Sequence, residues 1–255
     1  MSRLTSLAPI VLAAIVGWTG EGRATNYGNF VDPTGTVSYL NVHDLNGLFG
    51  PPSVSLDSLD FTPTTFQAKC TQCPDGVSTS DSLILDIQAS SLRQLDQIEA
   101  TEGLDYTIQS FDPNGFASVK VTADVLVEIT SVNGAPVSAI SESFRVDLTP
   151  STPFVSGLGA QASGIMLGTT GTIDLRSVLT NGGGSGEITS VRVSFSNILQ
   201  AFHDGAGGQA LIRKRDADFV SLTVVGSFVA GTPEPSTALL MMGGLALLAG
   251  RRPRG

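Results

Sequence analysis

Two histidines are each followed by an aspartate, His43-Asp44 and His203-Asp204, and these are the first residues to weigh for chemistry. A hydrolase of the serine type needs a nucleophile, a base and an orienting acid within hydrogen-bond reach. Adjacent residues on a strand point to opposite faces, so neither pair is a preformed dyad, and both read as loop histidines. The chain has no Gly-x-Ser-x-Gly elbow and no His-Glu-x-x-His, and the glycine run 182–184 lacks the Lys-Ser/Thr of a phosphate-binding loop. Glycosidase chemistry needs only two carboxylates. With 23 Asp and Glu in the chain some pair always exists, so Asp57, Asp60, Asp81 and Asp86 read as strand-edge and turn residues. The turns Asp112-Pro113-Asn114 and Asp216-Ala217-Asp218 offer hard oxygen ligands suited to calcium, but no run matches an EF-hand loop or an acidic glycine-rich nonapeptide repeat. No catalytic residue, metal ligand or cofactor is assigned from these patterns.

The cysteines form one Cys-x-x-Cys, Cys70 and Cys73, inside Ala-Lys-Cys-Thr-Gln-Cys-Pro-Asp-Gly. A thioredoxin-like redox site places this motif at a helix start near a βαβ unit, whereas here it stands among turn residues. A zinc site needs two more ligands, and neither histidine has metal-like spacing to it. In an exported protein the expected state is one local disulfide, closing a small loop.

The elements around these residues are strands. Val119, Val121, Ala123, Val125, Val127 and Ile129 alternate with polar residues, and a second run, 137–148, follows across Asn133-Gly134-Ala135-Pro136, a hairpin signal. Alternation recurs at Leu83, Leu85 and Ile87, at Val191, Val193 and Phe195, and at Leu222, Val224 and Phe228. Turns are marked by Asp32-Pro33-Thr34-Gly35, Asp112-Pro113-Asn114-Gly115 and Asn181-Gly182-Gly183-Gly184. Leu92, Leu95 and Ile98 recur every third residue, which suits a helix over 90–102, but the flanking pattern favours strands throughout. The chain is expected to form an all-β antiparallel β-sandwich, jelly-roll-like or immunoglobulin-like. Its formal charge is −9, and Arg3, Arg23, Arg251, Arg252 and Arg254 lie near the two ends, so the interior is more acidic still. Such a surface repels nucleic acid.

The ends are different in kind. Met1-Ser2-Arg3 precedes an apolar run over 4–18 and a small-residue exit with Gly22 and Ala24, the pattern of a signal peptide (1–24) cleaved after Ala24, with cleavage after Gly20 as the alternative. At the other end Thr232-Pro233-Glu234-Pro235-Ser236 precedes an apolar stretch over 237–250 and then Arg251-Arg252-Pro253-Arg254-Gly255. Pro233 and Pro235 keep the motif extended, as a peptide entering an enzyme groove must be. The apolar stretch is a short transmembrane segment, and Arg251, Arg252 and Arg254 hold its end on the cytoplasmic side.

This tail resembles the PEP-CTERM sorting signal, with Pro233, Glu234 and Pro235 as the sorting motif. The resemblance covers the segment 232–255 and implies recognition by an exosortase, a membrane enzyme that handles the tails of exported proteins in Gram-negative bacteria making exopolysaccharide. It divides the chain into signal peptide, secreted domain (25–231) and sorting tail. The implied partners are the Sec translocon, signal peptidase, the exosortase and, transiently, the inner membrane, with exopolysaccharide as a further candidate. The implied route runs from a tethered inner-membrane precursor to the outer surface or extracellular matrix. The function expected is that of a non-catalytic surface or matrix protein. The alternative is a secreted hydrolase acting on polysaccharide, which calls for two carboxylates across an aromatic-lined groove.

Overall fold

The computed structural model describes residues 23–215 and 220–229. In chain order the first strands are β1 (Thr25–Val31), β2 (Val37–Asp44), β3 (Pro52–Ser55), β4 (Ser58–Phe61), β5 (Gln67–Cys70) and β6 (Cys73–Ala89). Then come β7 (Arg93–Ser110), β8 (Phe116–Val132), β9 (Ala135–Arg145), β10 (Asp147–Thr149), β11 (Phe154–Ser156) and β12 (Ala160–Thr169). The last are β13 (Ile173–Asp174), helix α1 (Leu175–Asn181), β14 (Ile188–Asp204), β15 (Gly208–Lys214) and β16 (Val220–Phe228).

These strands form two antiparallel sheets packed as a sandwich, the expected all-β class. One sheet runs β1-β2-β6-β14-β8-β11, with β9 also on the outer edge of β8. The other is organised around β7, which carries β12 and β13 on one edge and β16 and β15 on the other. The six apolar residues alternating from Val119 to Ile129 on β8 are all buried, as are Leu83, Leu85 and Ile87 on β6 and Val191, Val193 and Phe195 on β14. They face Ile98, Ala100, Leu104 and Ile108 of β7 and Leu222 and Val224 of β16 in one continuous core. Burying side chains of this size stabilises by about 1.5–3 kcal/mol each before entropy is counted.

The β8–β9 hairpin turns at Asn133 (φ 52°) and Gly134 (φ 75°), both left-handed as a two-residue type I′ turn requires. Its second arm is shorter than the expected 137–148. It ends at Arg145, and Leu148 crosses to the other sheet in β10.

The three-residue spacing of Leu95 and Ile98 has a strand explanation. Val225 pairs with Gln97 and Gly226 with Leu95, so Asp96 is an extra residue in β7, a β-bulge. Both apolar side chains stay on the core face across it. A Cβ on Gly226 would lie 2.8 Å from the Gln94 carbonyl, so this position favours glycine. Past the bulge Phe228 is exposed rather than continuing the buried alternation, and Arg93 lies over its ring at 3.8 Å.

Strands do not account for the whole chain. Asp174 caps α1 by accepting from the Arg176 N–H at 2.9 Å and the Ser177 N–H at 3.3 Å. Leu175, Val178 and Leu179 bury one face, and Gly182 ends the helix where a Cβ would meet Ile140 at 2.2 Å.

Candidate functional site

The expected turn and strand-edge carboxylates separate into structural roles. Asp32 accepts from the Thr36 and Val37 N–H groups and from the Thr34 and Thr36 hydroxyls, closing the 32–35 turn. Burial alone would raise this carboxyl, but the Thr36, Thr34 and Val37 hydrogen bonds outweigh it and hold Asp32 well below the usual carboxylate range. Asp57 accepts from Thr36 Oγ1 at 2.9 Å, Asp60 from Ser58 Oγ at 2.7 Å, and Asp86 from Arg192 Nε at 2.9 Å. Asp112 accepts from the Asn114 and Ala206 N–H groups, both at 2.9 Å.

Both histidines lie in strands, a correction to the loop placement. His43 is half-buried on β2 while Asp44 points into the core; His203 is buried on β14 while Asp204 is exposed. Each His-Asp pair is therefore split across the sheet. His203 Nδ1 accepts from the Gln72 N–H at 3.3 Å in the turn between Cys70 and Cys73, which are joined to each other with Cα atoms 5.8 Å apart. That turn connects β5 of one sheet to β6 of the other. Among the described residues no three His, Cys, Asp or Glu side chains converge as a metal site would require.

Asp44 and Asp81 are both buried and organise the loop after β2. Asp44 accepts from the N–H groups of Thr25, Gly47 and Phe49 and from the Tyr27 hydroxyl. Asp81 accepts from the N–H groups of Leu45, Asn46, Leu48 and Ser82. Burial, with Asp44 close by, pushes the Asp81 carboxyl up against these bonds. The loop they hold delivers the Phe49 ring to the centre of the sandwich.

Phe49 covers the one place in the described core where an amine, a carboxylate and a carboxamide meet. Lys214, at the end of β15, pairs across the ladder with Leu104, which makes Glu102 its diagonal neighbour on the same face of β7. Lys214 Nζ lies 2.5 Å from Glu102 Oε2, and both side chains are fully buried. From the opposite sheet Asn197 of β14 donates through Nδ2 to the same Glu102 oxygen at 2.6 Å. Three rings enclose the amine: the centroids of Phe195, Phe49 and Phe66 lie 5.3, 5.5 and 5.6 Å from Nζ. Phe49 packs edge-on against Phe66 at 5.4 Å and Phe61 at 6.1 Å.

The arrangement is costly as a plain ion pair, because several kcal/mol are lost per ion taken from water unless every remaining lone pair is satisfied. Two are not: Glu102 Oε1 and Asn197 Oδ1 are buried with no hydrogen-bond donor. Burial pushes the Lys214 ammonium down toward the neutral amine, against the attraction of Glu102.

These three residues escaped the reading of motifs because they are 95 and 112 positions apart for the two contacts with Glu102. A signal was present in the alternation. Glu102 falls between Ala100 and Leu104, Asn197 between Phe195 and Leu199, and Lys214 two beyond Ile212, each in the inward phase of its strand.

The outer face of the β7 sheet holds an open depression of about 450 Å³, lined by Asp105, Tyr106, Ser163, Ile165, Leu211 and Arg213 among others. Asp105 is the single carboxylate in its lining and is paired with Arg213 and Arg215, each at 3.5 Å.

Ala24 is exposed, one residue before β1. Pro233, Glu234, Pro235, Arg251, Arg252 and Arg254 lie outside the described residues, as do residues 1–22 and the Asp216-Ala217-Asp218 turn. Among the described residues no helix is long and apolar enough to cross a membrane.

No protein-family model and no curated protein matches the chain. Among solved structures it is similar, at 12% identity and a TM-score of 0.24, to a chain in the structure of the infectious bursal disease virus Gt strain; the match covers 85% of this chain but 60% of that one. A carbohydrate-binding module specific for non-crystalline cellulose matches at 16% identity and a TM-score of 0.16, over 56% of this chain and 74% of the module. Likenesses at these scores carry no functional weight.

Proposed function

We propose that the chain is an exported, exosortase-sorted surface or matrix protein whose sandwich is a structural, non-catalytic module. The observation that carries this reading is the pairing in one sequence of a signal-type N-terminus with the Pro233-Glu234-Pro235 motif, the short apolar segment and the arginine cluster. The division of roles is physical: the extended motif stays outside the bilayer for the sorting enzyme, and Arg251, Arg252 and Arg254 fix its depth.

The N-terminal geometry supports cleavage after Ala24. The Thr25 nitrogen lies 3.3 Å from Asp44 Oδ1, so cleavage there would place a new ammonium group on a buried carboxylate. The polysaccharide-hydrolase reading has less support, since the depression over β7 offers one carboxylate, already paired with arginine.

The test is expression of the parent chain and Glu234→Ala in an exosortase-positive host, with both ends of the exported protein mapped by mass spectrometry. A parent beginning at Thr25 and lacking its tail, beside a variant that retains the tail, is the expected result. Equal tail loss in both removes the sorting assignment, and a chain still starting at Met1 removes the signal peptide.

A further inference from the structure

We propose that Lys214 and Asn197 form an intramolecular isopeptide bond, made inside the folded sandwich with Glu102 as the catalytic residue. The proposal stands on the placement of three side chains. The amine and the carboxamide come from different sheets and bond the same Glu102 oxygen, Lys214 Nζ at 2.5 Å and Asn197 Nδ2 at 2.6 Å. Sharing one hydrogen-bond partner holds the two reacting groups together at a very high effective concentration. All three residues are buried, and the rings of Phe49, Phe66 and Phe195 keep water from competing as the nucleophile.

The chemistry balances within the triad. Lys214 passes one ammonium proton to Glu102 and becomes a free amine, the form that burial already favours. The amine lone pair attacks Asn197 Cγ, forming the Nζ–Cγ bond and moving the carbonyl electrons onto Oδ1. Glu102 gives its proton to Nδ2 and takes one from the new Nζ–Cγ ammonium centre. The carbonyl reforms, the Cγ–Nδ2 bond breaks, and ammonia leaves. The product is a secondary amide, and a Glu102 that keeps its proton can donate to an acceptor.

That end state also answers the two orphan atoms. Glu102 Oε1 and Asn197 Oδ1 are both acceptors without a donor, and a proton on the Glu102 carboxyl supplies one donor between them. Replacing a buried ion pair by a neutral amide removes the desolvation cost of two charges. The bond would tie β14 of one sheet to β15 of the other through the middle of the core.

The experiment is intact-mass spectrometry of the purified, reduced full chain, followed by proteolysis and fragment sequencing. The expected result is a mass one ammonia below that of the sequence, with the loss located in a branched peptide joining Lys214 to Asn197. Glu102→Gln and Lys214→Arg should each return to the unreacted mass; circular dichroism checks that they still form sheet. Since failure to fold would also prevent the bond, the parent alone decides. An unreacted parent mass overturns the proposal, and so does an ammonia loss located instead as a succinimide at Asn133-Gly134. These outcomes are independent of whether the tail is sorted.

Discussion

Asp44 Oδ2 accepts the backbone N–H of Phe49 at 3.0 Å, linking the end of β2 to the ring that covers the buried amine. The same carboxylate accepts from Thr25, Tyr27 and Gly47, so one side chain anchors both the first strand and the loop. Asp44→Ala leaves these buried donors unsatisfied and should cost about 2–4 kcal/mol. Urea unfolding measures it; a loss under about 0.5 kcal/mol would mean the loop is held by its other contacts.

Asp32 sets an acid limit on stability. Its folded carboxyl is held below the unfolded value of about 3.9, so its contribution is fully present above that pH and is lost as pH falls toward the depressed folded value. Asp81 acts in the opposite sense, because a raised carboxyl favours the folded state on the acid side. Comparing urea midpoints of the parent and Asp32→Asn across pH 3 to 7 should show a constant gap above about pH 5 that narrows below about pH 4. A gap that widens on acidification contradicts the assignment.

The link between Cys70 and Cys73 closes a loop with two residues between the cysteines. Loop-closure entropy for so short a ring is small, and replacing the pair by Cys70→Ala and Cys73→Ser should cost about 2 kcal/mol or less. Thermal unfolding with and without reductant checks it. A chain that no longer folds without the link would place its role in registering β5 and β6.

Much of the fold was legible because alternation survives wherever a strand is regular, as along β8 from Val119 to Ile129. It misled where the backbone departs from period two, as the bulge at Asp96 gave Leu95 and Ile98 a helical spacing, and at the strand end, where Phe228 is exposed although in phase with Leu222 and Val224. Helix α1 was hidden for another reason. It is short, and its apolar residues Leu175, Val178 and Leu179 run directly into a glycine turn, too few to show a period. The phase of Glu102, Asn197 and Lys214 was readable residue by residue. Their meeting was not, since it depends on which strands the topology stacks across the core.

The topology also sets a timetable. β14 lies between β6 and β8, and β15 and β16 complete the free edge of β7, so both sheets wait for strands near the end of the described chain. Until residues 188–228 have been made, β1-β2-β6 and β8-β9 are separate ribbons with open edges, and neither encloses the core. Pairing that joins residues so far apart in sequence is slow to form. A chain made from its N-terminus therefore closes its core only after almost all of the described residues are present, and until then it holds no more than these separate ribbons.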